Sequence, residues 1–177
     1  MVLTKFINNS VDKIKKEELM IVLKDDASNV SIDKIMKACA FLRSDARFIP
    51  TSYRKEYIHS YVSAFVIQLK DMKNDKNNYK GFVNKNELKN LLKVVQNQEE
   101  MTENKNELHF YNIYKLVVIY VTFLLEKPIH PVGTPFPGGF KVKYENGKYL
   151  CPVKDKQKDN PNAVCEFCIA LQDEKMK

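Results

Sequence analysis

Leu116-Val117-Val118-Ile119-Tyr120-Val121-Thr122-Phe123-Leu124-Leu125 is the most apolar run of the chain. Ten residues are about half of the roughly 20 that a helix needs to cross a bilayer, so the run is read as a buried helix around which the others pack. Working outward, Asn104 as N-cap, Glu107 three residues on and Leu108 next open this helix, and Lys127-Pro128 ends it. The same grammar stands upstream in a clearer form. Asn84 caps, Glu87 sits where a capping box needs it, and Val83 and Leu88 occupy the hydrophobic-staple positions. A third start follows Pro50, with Thr51 or Ser52 as cap and Tyr53, Tyr57, Tyr61, Phe65, Leu69 and Met72 along the helix. From Ser31, Ile32, Ile35, Met36, Cys39 and Leu42 recur at helical spacing, which makes Cys39 a core residue. A first helix is expected from Ser10 to about Asp25, and Asp26 to Ser31 as a turn. No strand alternation stands before residue 139. The expected class is therefore all-α, a compact bundle of about five helices over residues 1–127.

The last fifty residues change character. Four of the five glycines and six of the seven prolines lie between Pro128 and Pro161. Phe140, Val142 and Tyr144 alternate with Lys141, Lys143 and Glu145, and Asn146-Gly147 is a two-residue hairpin turn that delivers Cys151. Pro161 suits a first helical turn, and Cys165 to Asp173 can form one short helix. Residues 128–177 thus form a loop, hairpin and short helix with too little apolar area to stand alone unless cross-linked or docked on the core.

Composition bounds what such a chain does. At 177 residues, 44% hydrophobic and 29% charged, it is one globular core with a dependent tail. Met1 to Ser10 holds no apolar segment of signal-peptide length, so a cytoplasmic protein with reduced thiols is expected. The net charge of +7 raises nucleic acid. Its distribution weakens that reading, because residues 1–127 hold 21 basic and 16 acidic side chains and residues 128–177 hold 8 and 6, with no basic block. A lysine-coated soluble surface explains the excess.

Four side chains in the tail carry the chemistry. His130, then Cys151 after twenty intervening residues, Cys165 after thirteen and Cys168 after two can complete a Cys3His set around one ion. A Cys-x-x-Cys pair presents both sulfurs to one metal, which would then fold the tail. Zinc is expected as the single cofactor, with an iron-sulfur cluster as the alternative, since Cys151-Pro152 echoes cluster-binding sequences. A metal-free reading also stands, including Cys165-Glu166-Phe167-Cys168 as a redox dithiol, although the βαβ setting of thioredoxins is missing. The loop Gly133-Thr134-Pro135-Phe136-Pro137-Gly138-Gly139 does not make a phosphate cradle, because two of its positions are prolines without N–H groups and no Lys-Ser or Lys-Thr follows.

All three arginines, Arg43, Arg47 and Arg54, fall within twelve residues of a chain that otherwise uses lysine. A planar guanidinium holds a carboxylate or phosphate bidentately where lysine cannot. They are candidates for an anionic small-molecule or protein partner, against internal pairing with Asp45, Glu56 or the tail. His59 and His109 stand among aromatic residues with no acid or nucleophile in visible relation to them, and are read as packed or surface groups.

The segments His130-Pro131-Val132-Gly133-Thr134-Pro135-Phe136-Pro137-Gly138-Gly139, Tyr149-Leu150-Cys151-Pro152-Val153-Lys154-Asp155-Lys156-Gln157 and Cys165-Glu166-Phe167-Cys168 resemble the signature of a family of uncharacterised archaeal proteins, mostly from methanogens. The resemblance spans the chain and implies a cytoplasmic archaeal source, with no activity or cofactor attached. The expected function is a metal-binding accessory or interaction protein. The alternative is an iron-sulfur or thiol redox enzyme centred on the Cys-x-x-Cys, and the sequence leaves open whether the protein is an enzyme at all.

Overall fold

The computed structural model describes residues 2–176. Among them run six α-helices, α1 (Val2–Asn9), α2 (Lys16–Ser28), α3 (Ile32–Asp45), α4 (Thr51–Asn74), α5 (Lys85–Met101) and α6 (Lys105–Ile119). Five short strands accompany them: β1 (Lys13–Lys15), β2 (Phe82–Asn84), β3 (Lys143–Glu145), β4 (Lys148–Cys151) and β5 (Leu171–Gln172). The expectation of an all-α protein is therefore corrected, because two small sheets make the architecture mixed.

α6 is the central helix, with α3, α4 and α5 against it. Residues Leu116 to Tyr120 are all at most 5% exposed. The helix continues as a π-helical segment, Tyr120–Leu124, in which the Leu125 N–H reaches the Tyr120 carbonyl over 3.0 Å. The end is closed by Glu126 at φ 51 and a bond from the Lys127 N–H to the Val121 carbonyl, the left-handed C-cap arrangement. Lys16 Nζ stands 2.6 Å from Glu126 Oε1 and ties this end to the start of α2.

Three helix starts follow from their caps. Ser31 accepts from Lys34 N, Asn84 from Asn86 N and Glu87 N, and Asn104 from Asn106 N. α4 differs from expectation, since Pro50 stands at its cap position and no side chain caps it. The N-terminal reading is also corrected. Ser10 closes α1 by donating from its hydroxyl to the Phe6 carbonyl, and the first turn of α1 is capped from a distance by Asp26, whose oxygens accept from Val2 N and Leu3 N. α2 then runs to Ser28, through the residues expected as a turn.

The first sheet joins parts of the chain far apart in sequence. β1 and β2 pair antiparallel with Ile14 opposite Val83, both buried, while Lys16 N donates to the Gly81 carbonyl and Lys85 N to the Asp12 carbonyl. Each strand leads straight into a helix, with Glu18 and Glu87 four residues beyond the paired Ile14 and Val83. Two helix–loop–helix units facing through such a ladder have the layout of an EF-hand pair. The loop between α4 and β2 is held at its start by the protein's own hydrogen bonds. Asp75, 8% exposed, accepts from the Tyr79 hydroxyl at 2.6 Å, the Tyr120 hydroxyl at 2.7 Å and the Asn77 N–H at 2.7 Å, and its backbone carbonyl accepts from Lys24 Nζ.

The second sheet, in order β3-β4-β5, belongs to the tail. Asn146 (φ 51) and Gly147 (φ 76) make the expected turn between β3 and β4, a backbone that a side chain beyond asparagine rarely accepts. The short helix expected over Cys165–Asp173 is corrected. A 3-10 turn covers Val164–Phe167 and the chain then extends into β5, which pairs parallel to β4 with Leu150 opposite Leu171 and Cys151 opposite Gln172. Pro161 starts no helix. Val164 and Ile129 sit in the same apolar cluster as the helices, and Gln98 Nε2 donates to the Asn162 carbonyl.

Burial pushes the Asp75 carboxyl up, but its three donors and Lys24 outweigh burial and hold it below the ordinary value. Its stabilising effect is therefore complete above about pH 4 and is lost as pH falls through the lower folded value. Replacing Asp75 by Ala takes the acceptor from the buried Tyr120 phenol and the half-buried Tyr79 phenol and costs about 3 kcal/mol at neutral pH. Urea unfolding at pH 7 and pH 2.5 reads this, with the difference between the variant and the native protein shrinking at the lower pH.

Candidate thiol site

Cys151 ends β4, Cys165 lies in the 3-10 turn and Cys168 follows that turn, so the fold brings Cys151 within electrostatic reach of a pair that begins fourteen residues further on. The three thiols lie within electrostatic reach of one another. Cys165 feels Cys151 and Cys168, and Cys151 feels Cys168. Burial, then these neighbours, pushes the Cys165 thiol up to about 11, and burial also raises Cys151. All four cysteines are free, and Cys39 stays in the helical core.

The backbone is set to donate to sulfur. Cys151 receives hydrogen bonds from the N–H groups of Val153 and Lys154, and the Ile129 N–H points to Cys168 Sγ at 3.5 Å. Lys154 Nζ donates to the Cys168 carbonyl at 2.7 Å and the Ala170 carbonyl at 2.6 Å, holding the exit of the Cys-x-x-Cys against the hairpin. The same ammonium favours the thiolate forms of Cys151 and Cys165. On the core side, Tyr114 from α6 lies within electrostatic reach of Cys165 and Cys168.

His130 is held by aromatic contacts, and none of these contacts is with a thiol. Its ring stacks on Tyr61 at 5.2 Å and meets Phe136 edge-on at 5.3 Å. Burial lowers it to about 4, so the imidazole is neutral. Among the described residues, no group of three or more His, Cys, Asp or Glu side chains is set to hold a metal ion as it stands. The donor chemistry, three thiols of which Cys151 and Cys168 meet backbone N–H groups, is nevertheless of the type that soft metals use.

The loop from Gly133 is an ordered turn. Gly133 N and Phe136 N are spent on the Val142 and Phe140 carbonyls, and Val142 N on that of Thr134. Thr134 is fully buried and its hydroxyl has no partner. The arginines separate. Arg43 is exposed on α3, Arg47 lies in the following 3-10 turn over the Phe48 ring, and Arg54 gives Nε to the Ile49 carbonyl and Nη2 to the Arg47 carbonyl. Arg54 is thus spent on bracing the entry to α4. Sequence reasoning gave no role to Lys154, which stands inside one of the family segments, or to Tyr114, since only the fold brings them within reach of the thiols.

The family profile described as an uncharacterised protein conserved in archaea (DUF2115) matches residues 15–173. The chain belongs to this family. The match begins at the last residue of β1 and ends just beyond β5, so it takes in β2, the second sheet and the thiol site. A UPF0305 protein of Methanothermobacter thermautotrophicus is 44% identical over 156 residues, covering 88% of this chain and 95% of the relative. A second from the same organism is 35% identical over the same shares, and one from Methanocaldococcus jannaschii is 27% identical over 93% and 100%. No solved structure matches. No helix among the described residues is long and apolar enough to cross a membrane.

Lys154→Met removes the donor that two tail carbonyls share, at a cost of about 2 kcal/mol to the local structure. In hydrogen exchange, the Asp173 amide, which bonds the Cys151 carbonyl, is expected to lose protection while amides of α5 and α6 keep theirs. Equal protection at Asp173 in both proteins would show that Lys154 does not hold the segment.

Proposed function

We propose that this protein is a metal-stabilised accessory or interaction protein, in which Cys151, Cys165 and Cys168 bind one zinc ion. The supporting observation is the convergence of three thiols from two distant segments, with backbone N–H groups aimed at Cys151 and Cys168. His130, next in sequence to the Ile129 whose N–H bonds Cys168, would take the fourth place.

A closed thiolate–imidazole set holds structure rather than supplying an open coordination position. The ion would lock β4, β5 and the 3-10 turn onto the helical body, fixing the outward surface of the tail for a protein partner. Lys154 offsets part of the negative charge that three thiolates bring. A redox dithiol is the weaker reading. A reactive cysteine needs a depressed pKa, and here burial acts in the opposite direction on Cys165 and Cys151.

The test is elemental analysis with a visible spectrum on protein purified without oxygen. One colourless zinc per chain is expected, falling below about one tenth of that in Cys165→Ser, whose tail becomes protease-sensitive while helical circular dichroism persists. Iron with matching sulfide and a brown colour would replace the zinc reading by a cluster. Metal-free protein that gains no zinc on titration would overturn it.

A further inference from the structure

A cavity of about 600 Å³ lies apart from the thiols. It opens where α1, the start of α3 and the middle of α6 meet. Its apolar floor includes Val30, Ile113 and Leu116, and Lys5, Lys34 and His109 reach it from three different helices. That volume is within the range of small-molecule sites, roughly 300–1,000 Å³.

The charges around it are unbalanced in one direction. Among the described residues Asp26 is the only carboxylate in the lining, and both its oxygens are occupied by the Val2 and Leu3 N–H groups. Asp33, close enough to feel His109, is paired with Lys37 at 2.8 Å. Lys5 and Lys34 have no ion-pair or side-chain hydrogen-bond partner among the described residues. Nor do helix ends serve the cavity, since Lys34 N is given to Ser31 and the first N–H groups of α1 to Asp26. Two uncompensated ammonium groups and an imidazole therefore face a space with an apolar floor.

We infer that this cleft binds a small amphipathic anion, a molecule with a carboxylate, sulfonate or phosphate head held by Lys5 and Lys34 and an apolar body seated on Val30, Ile113 and Leu116. His109 and Asn112 stand on the α6 wall beside the head. The sequence reading had placed anion binding at the arginines, and this site uses none of them. It stands independently of the thiol site.

The probe is 8-anilino-1-naphthalenesulfonate, followed by fluorescence on the full chain at low salt, with decanoate and decanol as competitors. Saturable one-to-one binding is expected, displaced by decanoate and at least tenfold more weakly by decanol. Lys5→Gln with Lys34→Gln weakens the probe and decanoate about tenfold, as loss of two charge-assisted contacts implies. Asn112→Trp, an exposed position on the cleft wall, blocks binding by bulk while leaving circular dichroism unchanged. Equal affinity in the native protein and the double lysine variant, or equal displacement by decanol and decanoate, would overturn the proposal. So would pelleting of the protein with anionic phospholipid vesicles without displacement of the probe by decanoate, which would assign the lysines to a membrane surface.

Discussion

A carboxylate removed from water must be given back the donors it loses, and much of this molecule is arranged around one such group. Asp75 stands at the end of α4, and its oxygens accept from a tyrosine in its own loop, a tyrosine in the π-helical end of α6, and a backbone N–H two residues on. Lys24 of α2 adds its ammonium to the carbonyl of the same residue. Three helices are thereby fixed to one point, and the loop they enclose is the one that carries β2. A hydrophobic core tolerates sliding of helix on helix far more readily than it tolerates an orphaned buried charge. The ladder of β1 and β2 depends on that fixed loop, and α5 takes its direction from the ladder.

Helix existence was largely legible from local chemistry. Ser31, Asn84 and Asn104 announce their helices because a capping side chain acts within three residues, and the Asn146-Gly147 turn announces the hairpin for the same reason. What escaped was long-range. β1 and β2 are three residues each, too short for alternation to register, and they pair across nearly seventy positions. The cap of α1 is a side chain from α2, so no pattern near Val2 reveals it. In the tail, Leu171 and Gln172 read as part of a helix because nothing local signals a parallel partner, which β4 supplies only in three dimensions.

The candidate site divides in the same way. Spacing singled out the cysteines, and folding brings three of them within reach of one another while Cys39 remains in the core. His130 was singled out with them, but its immediate contacts are aromatic. The arginines looked like one unit because they are close in sequence. In space one is exposed on α3, one covers a phenylalanine and one braces a turn. The cleft of Lys5, Lys34 and His109 had no signature, since its residues are drawn from three helices and lysine is everywhere in this chain.

The π-helical segment bears on how the chain tolerates changes of length. An α-helix advances about 100° per residue, so deleting a residue from the middle of α6 would turn every later side chain away from its packing partner. Tyr120–Leu124 already holds one residue more per turn than an α-helix, and a single deletion there returns the segment to ordinary pitch. In this chain it is a place where the central helix can lose one residue without disturbing the faces on either side of it.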